Sequence, residues 1–230
     1  MSGESQEQGA GARPVKRPTS DKPPLHFIHI PKTAGTAVKS TLRGHELEGA
    51  YELLWGGHRT RLAQIPEGEK VFFALRDPVT RFESAFSSRQ RQGLPRYHFP
   101  WLPFEEEVFT RFADADELAR SLDSSNDADR ALARGAMKKI RHFRRYRNWL
   151  GTPDEFRARR GDVLIALRQE SLTEDFARLC AELGIEASLP TDEKQSHRSP
   201  AGAHGGLSDR GRANLKNWYA EDYEFLAMFD

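Results

Sequence analysis

The chain has 230 residues, 35 Lys plus Arg against 34 Asp plus Glu, and a formal net charge of +1, which excludes a general nucleic-acid coat and leaves any polyanion binding to local patches. Its single cysteine, Cys180, excludes an internal disulfide framework and a cysteine-built zinc site. The length suits one domain with a full hydrophobic core, no apolar run approaches a membrane span, and the N-terminus lacks the apolar segment of a secretory signal, so the expectation is a cytoplasmic protein.

Residues 1–24 are rich in Gly, Ser, Gln, Glu and Pro and carry almost nothing to bury, so a disordered tail is expected there and a single domain over 25–230. Residues 25–30 have the apolar and β-branched content of a short buried strand, and Pro31, which cannot donate to a ladder, ends it. The loop Pro31-Lys32-Thr33-Ala34-Gly35-Thr36 follows, and residues 37–42 read as the first turns of a helix. Strand, small-residue loop and helix N-terminus together form an anion cradle, because unpaired N–H groups and the helix dipole face the same point. The loop lacks the Gly-x-x-x-x-Gly-Lys-Ser/Thr spacing of a nucleoside-triphosphate loop, since Lys32 precedes the glycine.

A second strand is expected at 51–54, ending at Trp55-Gly56-Gly57-His58. A histidine just past a strand end lies on the face where open α/β sheets bind ligands, and imidazole titrates near neutrality, so His58 is the candidate general base ahead of His45, His98 and His142. A third strand, 70–75, leads into Arg76-Asp77-Pro78 and a helix that carries Ser84 two turns in. A guanidinium at a strand end and a nearby hydroxyl suit a phosphate.

The Pro-Lys-Thr-Ala-Gly-Thr loop, followed by strand, Arg76-Asp77-Pro78 and helical Ser84, resembles the sulfotransferases that use 3′-phosphoadenosine 5′-phosphosulfate (PAPS), in the branch that includes carbohydrate O-sulfotransferases. The resemblance implies a P-loop-like three-layer α/β fold with a short parallel sheet flanked by helices, plus helical additions. It also implies binding of the 5′-phosphosulfate by residues 31–36, with Lys32 over the bridging oxygen, and of the 3′-phosphate by Arg76 and Ser84. The product would be adenosine 3′,5′-diphosphate, no metal would be needed, and the acceptor would be a hydroxyl of a carbohydrate, lipid or small metabolite. Ala37 departs from the pattern, which often has Ser or Thr there. A non-catalytic nucleotide-binding module is the main alternative. A nucleotide kinase is a weaker one, since the chain lacks a Gly-Lys with a magnesium-binding hydroxyl beside it.

Further along, residues 90–103 read as an aromatic, proline-containing loop suited to walling an acceptor site, at the start of a helical insertion over about 94–150. Short helices are expected at 104–112 and 117–122, and one long helix at 128–150 with Leu132, Ala136, Ile140, Phe143 and Leu150 facing the core. Its outer positions, Lys138, Lys139, Arg141, Arg144, Arg145 and Arg147, form a basic ridge that reads first as a solvated face and second as a seat for an anionic acceptor. A fourth strand at 163–167 precedes a helix with a Ser171/Glu174 capping box, a core-facing Cys180 and a stop at Gly184, in a segment similar to the Arg-x-Glu-Ser-Leu of the same family. The polar stretch 190–206 carries Arg198, a further candidate contact to the 3′-phosphate, and one or two amphipathic helices close the chain.

Overall fold

The computed structural model describes residues 15–95, 97–190 and 206–229. Four strands, β1 (Pro24–Ile28), β2 (Glu52–Trp55), β3 (Lys70–Leu75) and β4 (Val163–Arg168), form one sheet in the order β2-β1-β3-β4 with every pairing parallel. Parallel strands need covered faces, and the side-chain alternation supplies them. Leu25, Phe27, Phe72, Ala74 and Leu167 pack against Val38 and Leu42 of α1 (Gly35–Leu42) and Phe176, Leu179 and Leu183 of α8 (Leu172–Leu183). Ile28, Val71, Phe73 and Leu75 pack on the opposite face, against Trp149 of α6 (Arg147–Leu150), Phe156 of α7 (Pro153–Ala158) and Phe225 of α10 (Ala220–Ala227). The fold is thus α/β with helices on both sides of a parallel sheet.

A third core is wholly helical. It joins Phe82 and Phe86 of α2 (Pro78–Gln90), Val108 of α3 (Pro103–Arg111), Leu118 of α4 (Ala115–Ser121), Ala133 and Ala136 of α5 (Asp127–Lys139) and Leu215 of α9 (Asp209–Trp218). The helical content expected between 94 and 150 therefore packs with α2 and α9 rather than standing alone. Among the described residues, no helix is long and apolar enough to cross a membrane.

Three local expectations need correction. The helix expected over 128–150 stops at Ile140 and is followed by a 3₁₀ turn, Arg141–Phe143, and the short α6. The buried spacing continues through Ile140, Phe143, Tyr146 and Trp149, but long-range donors take the carbonyls: Arg81 donates to those of His142 (3.4 Å) and Arg144 (2.7 Å), and the Tyr219 hydroxyl to that of Phe143 (2.6 Å). The basic ridge is split accordingly, with Arg147 paired to Glu221 at 3.0 Å and the Arg145 guanidinium 4.8 Å from the Trp218 ring centroid. At α8, the Ser171 hydroxyl does not cap the helix but donates to Asp175 at 3.1 Å, and the same carboxylate oxygen accepts the Arg168 N–H at 2.5 Å.

The third correction concerns the tail: the part of it within the described residues, 15–24, is tied down. Val15 packs against the core on the face of Ile28 and Phe73, and the Glu52 carboxylate accepts hydrogen bonds from the amides and hydroxyls of both Thr19 and Ser20 at 2.7–2.9 Å.

Candidate functional site

β1 is central, with β2 on one side and β3 on the other, so the chain reverses its direction of progress across the sheet between β1 and β3. Open α/β sheets hold ligands in the crevice outside the strand C-termini at such a point. The loops after β1, β2 and β3 all open here into one cavity of about 1270 Å³. Pockets for a single small ligand are about 300–1,000 Å³, so this cavity is somewhat larger than such a pocket.

The loop after β1 carries backbone strain of a useful kind. Lys32 and Ala34 both have φ of 67°, a left-handed conformation that non-glycine residues seldom adopt. Alternating handedness turns successive N–H groups to one side, and α1 begins with Gly35, one residue past the left-handed N-cap Ala34. The first amides of a helix have no helical acceptor, so the cradle has donors to offer. Pro31, Lys32, Ala34, Gly35 and Thr36 line the cavity. Thr33 departs from the expected set: it is fully buried and its hydroxyl donates to the Ile30 carbonyl at 3.0 Å, which fastens the loop from beneath. Gly35 is needed sterically, because a Cβ there would lie 2.6 Å from His29 Cδ2 and 3.1 Å from Phe27 Cζ.

The second pocket follows β3. Arg76 and Ser84 both line the cavity. Arg76 Nε donates to Thr80 Oγ1 at 3.0 Å, and burial holds the guanidinium below its ordinary value while Glu170 opposes the shift. The turn itself is fastened on all sides. Asp77 caps α2 by accepting the Thr80 N–H at 2.9 Å, its other oxygen accepts from the Tyr223 hydroxyl at 3.0 Å, and its N–H donates to Glu170 at 2.8 Å. Tyr146, which sequence reasoning passed over, holds the Arg76 backbone twice: its hydroxyl accepts from the N–H at 2.9 Å and donates to the C=O at 2.5 Å.

Three imidazoles meet between the loops. His58 Nδ1 lies 3.1 Å from the carbonyl of His29, and since a carbonyl only accepts, Nδ1 carries the proton and Nε2 the lone pair. The His58 ring centroid is 4.0 Å from that of His29 and 6.3 Å from that of His142, and Trp149 Nε1 donates to the His58 carbonyl at 2.9 Å. Burial lowers the pKa of all three. Lys32, Lys39 and Arg141 help at His58 against the hydrogen bond to the His29 carbonyl, and the neighbouring His58 ring helps at His29 and His142, taking both to about 3. All three rings are therefore neutral at pH 7. Of the competing histidines, His45 pairs with Glu48 at 2.6 Å and His98 contacts Gln92 at 3.2 Å; neither lines the cavity, whereas His142 does. Among the described residues, no group of three or more His, Cys, Asp or Glu side chains could hold a metal ion. Arg198 lies outside the described residues.

Fold and site together define an α/β protein whose parallel sheet opens, at the C-terminal ends of its strands, on a cavity lined by the loop after β1, by Arg76 and Ser84, and by His58. No family model, curated protein or solved structure matches this chain.

Proposed function

We propose that this protein is a sulfotransferase of P-loop-like type that moves a sulfuryl group from PAPS to an acceptor hydroxyl. The observation that carries the reading is the convergence of Lys32 with its cradle, Arg76 with Ser84, and a neutral His58 of fixed tautomer on one cavity. PAPS carries anionic groups at the 3′ and 5′ positions of one ribose, and two cationic side chains from different loops lining one cavity suit such a molecule.

In this reading PAPS supplies the sulfuryl group: the bond from sulfur to the acceptor oxygen forms, the bond from sulfur to the bridging oxygen breaks, and the electron pair stays on the departing phosphate. The amides of residues 34–36 hold the 5′ end. Lys32 neutralises charge that develops on the leaving oxygen, and stabilisation of this kind is the largest single contribution in many enzymes. Arg76 and Ser84 anchor the 3′-phosphate and so fix the donor in register. His58 Nε2 accepts the proton of the attacking hydroxyl. Burial keeps that nitrogen unprotonated at neutral pH, as a base requires.

Calorimetric titration with adenosine 3′,5′-diphosphate tests the reading. Saturable binding is expected, weakened in Arg76→Ala by about 1.5–3 kcal/mol, the range for a hydrogen bond to a charged group. Lys32→Ala should abolish transfer of labelled sulfate while leaving the fold intact. Absence of binding to the folded protein sinks the proposal. Binding without transfer to any hydroxyl compound leaves the non-catalytic module.

A further inference from the structure

The remainder of the cavity has a composition that the donor does not use. Tyr97, Phe99 and Leu102 line it while keeping 49%, 60% and 67% of their surface exposed. Among the described residues, the other exposed large hydrophobic side chains are Leu47 and Leu94, and Leu94 belongs to the same loop. The exposure is built in. Arg89, bound to Glu105 through two hydrogen bonds of 2.9 and 2.6 Å, also donates to the Phe99 carbonyl at 3.2 Å. The Phe99 N–H donates to the Gln92 carbonyl at 2.8 Å, and the Trp101 indole to that of Arg89 at 2.8 Å. A buried ion pair thus holds the backbone behind rings that face open space.

Cations meet this wall. Lys139, Arg141 and Arg144 line the same cavity, and Lys139 Nζ lies 4.4 Å from the ring centroid of Phe104. Arg141 is exposed, but partial desolvation of its guanidinium and its neighbours Arg59 and Arg144 hold it below its ordinary value. Glu105, the acid acting on it, is already engaged by Arg89. Like charges gathered with so little acid beside them favour an incoming anion. Residues 191–205, which follow the cavity-lining Pro190 in sequence, contain no Leu, Ile, Val, Met, Phe, Tyr or Trp.

We propose that this half of the cavity is a subsite for an anionic amphiphile, with an apolar ring or chain against Tyr97, Phe99 and Leu102 and a carboxylate, sulfate or phosphate against Arg141 and Arg144. The molecule's role as acceptor rests on the sulfotransferase reading; its binding does not. The cavity that holds this wall also holds His58 and His142, so an acceptor bound here shares its space with the base.

Two dyes test it by fluorescence titration of the full chain, with and without saturating adenosine 3′,5′-diphosphate. One is 8-anilinonaphthalene-1-sulfonate; the other, N-phenyl-1-naphthylamine, has the same rings without the charge. Both bind at one saturable site. Phe99→Ala weakens both about tenfold, equal to about 1.4 kcal/mol, whereas Arg141→Ala weakens only the sulfonate dye. Both replaced side chains are exposed, so the variants fold. Octyl sulfate and 1-naphthyl sulfate then tell chain from ring: displacement by either supports the subsite, and displacement by neither overturns it. No saturable binding, binding that ignores both variants, or sedimentation showing a dimer abolished by Phe99→Ala also overturns it, the last by giving the patch to a second copy. Should the nucleotide fail to bind while the dyes respond as expected, the donor reading falls and the amphiphile subsite stands.

Discussion

Tyr146→Phe removes one oxygen from a fully buried side chain and separates two functions of that residue. The ring stays, with the Arg81 guanidinium 4.8 Å from its centroid and Phe225 packed edge-on at 6.3 Å. What is lost is the hydroxyl that accepts from the Arg76 N–H at 2.9 Å and donates to its C=O at 2.5 Å. The parallel pairing of β3 with β4 runs out at Leu75, so no strand neighbour takes over these two groups. Each orphaned buried backbone group costs about 1–3 kcal/mol. Arg76 is half-buried and water relieves part of this, so the low end for each applies, for a total of about 2 kcal/mol. In a chain of this size that lowers Tm by about 4–8 °C. Urea denaturation with an unchanged m-value measures it, and calorimetry with adenosine 3′,5′-diphosphate reads whether the Arg76 side chain has lost its aim. Tyr219→Phe is the control, because its hydroxyl serves the Phe143 carbonyl instead. It should cost stability but spare nucleotide affinity. A stability loss in Tyr146→Phe below about 0.5 kcal/mol, the scale of an ordinary surface change, would refute the claim that this hydroxyl holds the strand end.

Three further outcomes are expected. Gly35→Ala forces its Cβ against the His29 ring at 2.6 Å, an overpacking that costs about 1–3 kcal/mol; because His29 supports His58, catalysis should fall by more than the stability loss explains, and thermal melts paired with kinetics will show whether it does. The His58 pKa is depressed by burial, so on the sulfotransferase reading transfer should be complete above the ordinary value of 6.5 and fall only as pH drops through a lower value. A pH–rate profile whose acid limb sits above 6.5, or an unchanged limb in His58→Ala, moves the base elsewhere. Asp222→Ala leaves the fully buried Arg81 without its carboxylate, which stands 3.4 Å away, and should destabilise by about 3–5 kcal/mol in urea. A loss under 1 kcal/mol would mean that the carbonyls of His142 and Arg144 suffice.

The strands were legible because each is a short apolar run, the first three closed by Pro31, Gly56 and Pro78, and all four fall within two residues of where the pattern puts them. Lys32, His58 and Arg76 stand out in sequence because each follows a strand end, where local sequence dictates local shape, and Ser84 because it lies two turns into the helix that Asp77 and Pro78 open; that the four line one cavity is a finding of the structure. Residues whose role depends on distant partners left no such trace. Ile140 ends a helix that its own spacing would continue, because Arg81 and Tyr219, far off in the chain, claim the carbonyls that follow. Ser171 loses its cap to Asp175, whose carboxylate also serves the end of β4.

His29 shows where reading by local pattern runs out. In sequence it is a polar residue at a strand end with no spacing to mark it, yet its ring occupies the space beside Gly35 and its carbonyl selects the tautomer of His58. The phosphate-type cradle and the candidate base are therefore mechanically joined through one residue: the ring touches the first turn of α1, and the backbone orients the imidazole after β2. Parallel neighbours β1 and β2 place these groups together at the sheet's C-terminal edge, which is why their contact follows from strand order and cannot be read from either loop alone.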